Sequence, residues 1–207
     1  MSNDDVYASG LLNRALDPAT QPPQIQAFLR TELDLLHDVV KEGMRVVDVG
    51  CGTGRHLVLL GDRLRLGVGV DYERSYIADA AHRAGARHLH FITADATAIP
   101  LGAGFDLAIC LANTWGTMTD KARVLREMRR LAPQPHTRLL SVFSETSVDA
   151  RREWYRRFGH AVVEETDEYL VTDGGLRSEH FSDARLRGLI GECTIRPVAD
   201  IARAVTF

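Results

Sequence analysis

The chain has 207 residues, with 45% hydrophobic and 26% charged side chains, which is the size and balance of one globular domain with a sizeable core. Its formal charge of −3 excludes the overall basic footprint of a nucleic-acid binder and favours a small or locally recognised substrate. The opening "MSNDDVYASG" has no basic, apolar leader, no apolar run is long enough to cross a bilayer, and Cys51, Cys110 and Cys193 show no metal-ligand spacing. These features point to a cytosolic protein with small core cysteines and no structural metal.

In chain order, "VYASGLLNRALDP" precedes the first strong pattern and is read as a lid, with Tyr7 as its candidate contact. "PPQIQAFLRTELDLLHDVVKEG" predicts a helix: prolines at its start, Ile25, Phe28, Leu29, Leu33, Leu36 and Val40 on one face, Gly43 past its end. "MRVVDVG" reads as a buried strand, "GRHLVLLGDRL" as a helix, "RLGVGVD" as a strand and "ERSYIADAAHRAG" as a helix stopped at Gly85. "HLHFITAD" and "FDLAICLAN" are the third and fourth strands, "TDKARVLREMRRLA" a helix starting near Thr119, and "TRLLSVF" the fifth strand. Strands alternating with helices imply parallel crossover units, hence a doubly wound α/β sheet with helices on both faces.

The rhythm breaks after Phe143. "SVDARREWYRRFG" predicts a helix, then "AVVEETDEYLVT" and "LRSEHFS" two strands around a turn at Asp173 to Gly175. "SDARLRGLIGE" is helical with Ser182 as its cap, and "CTIRPVADIARAVTF" is β-rich. Residues 144–181 therefore read as a cap inserted into the α/β pattern: 1–43 as a lid and first helix, 44–143 as the ligand-binding core, and 182–207 as its completion. The arginines of "RREWYRRFG" read as a solvated helix face, with Trp154 and Tyr155 as candidates to face a pocket.

Gly50, Gly52 and Gly54 form the turn after the first strand, where ligands bind in parallel α/β sheets. A phosphate-cradling loop would need Lys and Ser or Thr after the last glycine, but Arg55 and His56 stand there. The dinucleotide fingerprint is also disfavoured, because Arg55 occupies its third glycine position. What remains is an acid in the strand, G-x-G-x-G, and an acid ending the second strand: Asp48, Gly50, Gly52, Gly54 and Asp71.

Together "VVDVGCGTG", "GVGVDYERSYI", "TADATAIPL" and "FDLAICLANTWG" resemble the class I S-adenosylmethionine-dependent methyltransferases, closely over residues 44–143 and more loosely at the C-terminus. The resemblance implies a seven-stranded Rossmann-like sheet and S-adenosylmethionine as cofactor. It places Gly50, Cys51, Gly52 and Gly54 under the methionyl group, with Asp48 orienting the turn or reaching the amine. Asp71 would take the ribose hydroxyls, Tyr72 would lie against the adenine, Asp95 with the Ala96 N–H would read the base, and Leu111 would also contact the cofactor. Capping of turns is the competing role for Asp71 and Asp95.

The methyl group would project past the fourth strand, towards Asn113, Thr114 and Trp115. Asn-Thr at this place is similar to small-molecule enzymes of the glycine N-methyltransferase type and departs from the Asn/Asp-Pro-Pro pattern of amino-DNA methyltransferases. The expected reaction is methylation of a small molecule, at nitrogen first and oxygen second; a cofactor-binding relative with non-methylating activity is the further alternative. Asn113, Trp115 and His180 are the catalytic candidates, and Tyr7, Asn113, Thr114, Trp115, Trp154 and Tyr155 the substrate contacts. Packing is the competing role for Trp115. His56 opens the helix after the glycine turn and is noted beside them; His88 and His90 share a strand face without a third ligand.

Overall fold

The protein was analysed as a computed structural model, which describes residues 17–85 and 88–207; the lid expectation and Tyr7 lie outside the described residues. The first long helix, α1 (Pro23–Val39), buries Ile25, Phe28, Leu29 and Leu36 at helical spacing. The buried face also takes in Glu32, while Leu33 is only partly covered. There follow β1 (Met44–Val49), α2 (Arg55–Leu60), β2 (Leu64–Asp71), α3 (Arg74–Ala84), β3 (Leu89–Thr93) and β4 (Leu107–Cys110). α2 is shorter than the sequence pattern, because the chain tightens at Gly61–Arg63 before turning into β2. A single turn, α4 (Thr114–Thr117), leads to α5 (Lys121–Leu131). The cap of α5 is Asp120, next to Thr119, its carboxylate accepting from the Arg123 N–H at 2.9 Å. β5 (Arg138–Phe143) completes the parallel part of the sheet.

Beyond β5 come α6 (Val148–Arg157), β6 (Val162–Glu165), β7 (Tyr169–Thr172), β8 (Arg177–Glu179), α7 (Asp183–Ile190), β9 (Thr194–Val198) and β10 (Ala202–Thr206). The run "AVVEETDEYLVT" is two strands, not one. It bends where the Thr166 hydroxyl accepts the Glu168 and Tyr169 N–H groups, so the expected pair of strands is a three-stranded sheet in the order β6-β7-β8. The chain leaves the main sheet at Ser144 and returns beside it, the Phe181 N–H bonding to the Phe143 carbonyl at 2.9 Å.

The main sheet has seven strands in the order β3-β2-β1-β4-β5-β10-β9. The pairs among β1 to β5 are parallel, whereas β10 runs antiparallel to both neighbours. The short link from β9 to β10 permits only that direction. Alternation along each strand divides the core between two faces. In β1, Val46 joins the apolar cluster that holds Ile25, Phe28 and Leu57, while Val47 and Val49 join the cluster on the other side with Leu125, Met128 and Leu186. Asp48 has the parity of Val46, so its side chain points towards the α1 and α2 face.

Candidate functional site

A cavity of about 500 Å³ opens at the carboxyl ends of β1 to β5, the place where a doubly wound sheet receives its ligand. Gly50, Cys51 and Gly52 form its floor, Asp71, Tyr72, Asp95 and Ala96 one end, and Leu111, Asn113 and Thr114 the middle. Phe143, Trp154, Tyr155, Phe158, His160, Leu176 and Ser178 close the other end. The 144–181 segment thus contributes a wall of the cavity.

The floor is glycine for a steric reason. Gly50 has φ of 74°, and a Cβ there would stand 2.3 Å from the Thr114 Cγ2. The Asp71 carboxylate braces this floor by accepting the Gly52 N–H at 2.8 Å and the Glu73 N–H at 3.0 Å. Burial raises the Asp71 pKa, against the two N–H bonds that lower it. At the same end Asp95 accepts the Thr97 N–H at 2.7 Å, which is the turn-capping role, while its side chain still lines the cavity. Burial pushes the Cys51 thiol well up, so it carries no thiolate at neutral pH.

Asp48, Gly54, Trp115 and His180 are not among the lining residues. Gly54 packs α2 onto the sheet: a Cβ at this position would lie 2.5 Å from the Phe91 ring. Trp115 is fully buried, stacks on Phe181 with centroids 5.1 Å apart, and bonds to the Lys121 carbonyl at 3.3 Å. Its role is packing, because α4 turns the ring away from the cavity and beneath α5. His180 accepts from Arg151 at 2.8 Å through Nδ1, and burial and the Arg151 charge hold its pKa down. Arg151 departs from the solvated reading of its helix. It is fully buried against Phe143 and Ser178, while Arg152, Arg156 and Arg157 pair with Glu165 and Glu153 on the surface.

Asn113 does line the cavity, but its amide is committed. Nδ2 donates to the Ser178 hydroxyl at 3.1 Å and the Glu179 carbonyl at 3.2 Å, and Oδ1 accepts the Phe143 N–H at 2.9 Å. One side chain therefore ties β4, β5 and β8 together at the cavity wall. Ala112 and Asn113 both take positive φ, 53° and 59°, a costly backbone for non-glycine residues. Surrounding bonds hold it: Ala112 N–H to the Glu32 carboxylate at 2.7 Å and Asn113 N–H to the Ser141 carbonyl at 3.1 Å.

Glu32 was not singled out in the sequence, since it sits among the periodic leucines of α1 as one more charged residue. It is 1% exposed. Besides Ala112, its carboxylate accepts from the Ser141 hydroxyl and lies 3.2 Å from His56 Nε2. The other His56 nitrogen is 3.5 Å from Asp48, an ion-pair distance long for a hydrogen bond. Burial would raise the Glu32 pKa, but the bond and charge of His56, then Ser141 and Ala112, bring it below the ordinary range. Burial would lower the His56 pKa, but Asp48 and Glu32 push it up to about 9. This buried Glu32–His56–Asp48 chain lies under the glycine turn and fixes the start of α2 against α1 and β1.

A pH dependence follows from its sign. The folded-state pKa of His56 stands above the ordinary 6.5, so its contribution to stability is full below that value and disappears as pH rises through about 9. The melting temperature is expected to fall between those two pH values, with a flatter profile in His56→Gln, measured by differential scanning calorimetry.

The residues fit S-adenosylmethionine. Two carboxylates at one end suit a ribose and an adenine amino group, positive-φ glycines permit close backbone approach, and the volume holds a nucleoside beside a small second molecule. Among the described residues no group of His, Cys, Asp and Glu is placed to hold a metal ion.

Residues 46–134 match the family described as a methyltransferase domain. No curated protein matches the chain. Magnesium protoporphyrin IX methyltransferase of Synechocystis PCC 6803, solved with S-adenosylhomocysteine, is similar at 18% identity and a TM-score of 0.65, over 98% of this chain and 96% of that one. The PH0226 protein of Pyrococcus horikoshii OT3 gives 18% identity and a TM-score of 0.73, over 94% and 97%. The [4+2]-cyclase SpnF shares the fold at 20% identity and a TM-score of 0.56, over 79% and 74%.

Proposed function

We propose that this chain, whose residues 46–134 match a methyltransferase domain, is a class I S-adenosylmethionine-dependent enzyme that methylates a small, uncharged molecule held against the 144–181 segment. The observation that carries this reading is the single cavity running from Asp71 and Asp95 to the aromatic side chains Phe143, Trp154, Tyr155 and Phe158. Its far end offers apolar ring faces, which suit a planar acceptor better than a nucleic-acid backbone or a charged peptide. The net charge of −3 and the three free cysteines support a small-molecule acceptor and a reducing, cytosolic setting. Among the described residues no helix is long and apolar enough to cross a membrane.

In this reading Gly50, Cys51, Gly52, Asp71, Tyr72, Asp95, Ala96 and Leu111 hold the cofactor, and Thr114, Trp154 and Tyr155 contact the acceptor. Asn113 acts by holding the wall in place. When bound, the cofactor supplies a methyl group activated by positively charged sulfur. The protein's part is to hold the acceptor in line with that methyl group and keep water out. Such positioning alone is worth up to about 7–11 kcal/mol of a barrier. The Asn-Thr pair after β4 supports nitrogen as the acceptor atom. Oxygen is the second reading, supported by an imidazole in the acceptor end, His160.

The test is incubation with S-adenosylmethionine and a panel of planar amines, azoles and phenols, with transfer RNA and bulk protein as competitors. Methylated small molecule and S-adenosylhomocysteine are expected by mass spectrometry. Methylation confined to RNA or protein overturns the proposal.

A further inference from the structure

The cavity floor offers an anion little from its main chain. The Gly50 and Cys51 N–H groups bond to the Val70 carbonyl at 2.7 and 3.0 Å, the Gly52 N–H to Asp71 at 2.8 Å, and the Gly54 N–H to the Cys51 carbonyl at 3.0 Å. Glycine turns commonly hold anions through main-chain N–H groups aimed at the ligand, and here those of all three glycines are spent. A negative group above this floor has to be met by a side chain.

Among the described residues the basic side chains lining the cavity are Arg55, His56 and His160. His56 is held between Glu32 and Asp48, at 3.2 and 3.5 Å. His160 has its Nδ1 3.2 Å from Asp173, and its Nε2 is fully buried. Arg55 is placed differently. It opens α2 directly after Gly54, and 14% of its side chain is exposed.

Arg55 is also the least well paired charge of its cluster. Its Nη1 stands 3.9 Å from Glu32 Oε2 and 3.4 Å from His56 Nε2. His56 is protonated at neutral pH, so the second contact sets donor against donor and is no hydrogen bond. Glu32 has little left to give, because Oε2 serves His56 while Oε1 accepts from Ala112 and Ser141. The opposite edge of the guanidinium carries Nε–H and an Nη2–H side by side. Neither nitrogen has a partner among the described residues, and neither is sealed from the surface. Burial lowers the Arg55 pKa, against Glu32 and then Asp17, as befits a partly desolvated cation short of an anion.

Resting on the methyl-transfer reading above, we infer that the Nε and Nη2 edge of Arg55 binds the carboxylate of the cofactor's methionyl group. Two parallel N–H groups match two carboxylate oxygens, a bidentate pairing that a guanidinium makes and an ammonium does not. The cofactor is then held at both ends, its ribose by Asp71 and its carboxylate by Arg55. The sulfur lies between those two groups in the cofactor itself, so fixing both ends fixes where the methyl group stands. An acidic acceptor is the poorer occupant, because the acceptor end is walled by the rings of Phe143, Trp154, Tyr155 and Phe158.

The test compares S-adenosylhomocysteine with its decarboxylated analogue, which keeps the adenosine, the thioether and the amine. Isothermal calorimetry on the full chain reads both affinities without turnover. Wild type is expected to bind S-adenosylhomocysteine roughly thirtyfold more tightly than the analogue. Arg55→Met is expected to weaken S-adenosylhomocysteine by about thirtyfold and the analogue by less than about threefold, so that the preference disappears. Arg55→Lys, a point charge without the fork, is expected to fall between the two. 5′-Methylthioadenosine, which lacks amine and carboxylate, is expected to bind all three proteins alike and so to report an intact adenosine end.

A wild type that binds the analogue as tightly as S-adenosylhomocysteine overturns the inference. So does an equal loss of both ligands in Arg55→Met, which would make Arg55 a structural partner of Glu32. If circular dichroism shows Arg55→Met unfolded, the wild-type preference and its size in Arg55→Lys decide the matter. A wild type that binds none of the three adenosine ligands overturns the methyl-transfer reading and this step with it.

Discussion

Asp71→Ala is expected to weaken S-adenosylhomocysteine binding by at least about a hundredfold while the protein stays folded. The Asp71 carboxylate performs two tasks from one position. It accepts the Gly52 and Glu73 N–H groups and so shapes the floor, and it faces the cavity with lone pairs to spare. Hydrogen bonds to a charged group contribute roughly 1.5–3 kcal/mol each, and a bidentate acceptor of two hydroxyls adds to the loss of the floor's brace. A hundredfold change corresponds to about 2.8 kcal/mol, so the expectation is a conservative one. Asp71→Asn is the sharper variant, because it keeps the shape and replaces an acceptor with a donor that opposes one of the N–H groups. Isothermal calorimetry measures the affinity and circular dichroism the fold. An Asp71→Ala affinity within threefold of wild type would remove Asp71 from the cofactor site.

Glu32→Ala is expected to cause the largest loss of stability, about 3–5 kcal/mol, or roughly 10 °C in melting temperature. The substitution leaves His56 protonated and buried beside Asp48 alone, and it removes the acceptor for the Ala112 N–H and the Ser141 hydroxyl. The strained backbone at Ala112 then loses one of the bonds that hold it at positive φ. A double-mutant cycle with His56→Leu separates the causes, since removing both partners of a buried ion pair costs less than removing one. Urea denaturation of the four proteins gives the coupling. Near-additive losses would mean that the carboxylate and the imidazole do not act as a unit.

The glycine turn was legible because its cause is local. A strand, three glycines at alternate positions and a helix must form a tight turn with positive φ, and the angles at Gly50, Gly52 and Gly54 are those of such a turn. Asp71 and Asp95 were legible because parallel strands bring their carboxyl ends to one edge, so residues there face one site whatever the details of packing. The three strands after α6 were only partly legible: a threonine whose hydroxyl accepts two N–H groups bends the run, and no glycine or proline marks the place.

The roles of individual side chains around the acceptor were not legible in the same way. Asn113 and Trp115 follow β4 where the family pattern puts chemistry, yet one is consumed in tying three strands and the other lies under α5. Glu32 and His56 are 24 residues apart and form an ion pair because α1 and α2 pack on the same face of β1. His160 and Asp173 meet only because β6 and β7 pair and bring both ends of that ribbon together. Sequence alone determined the sheet, the glycine floor and the acidic end of the cavity, because backbone conformation and strand alternation are set by near neighbours. The tertiary structure decided which polar side chains are spent on one another and which remain free to meet a ligand, because that depends on distances between segments that only packing brings together.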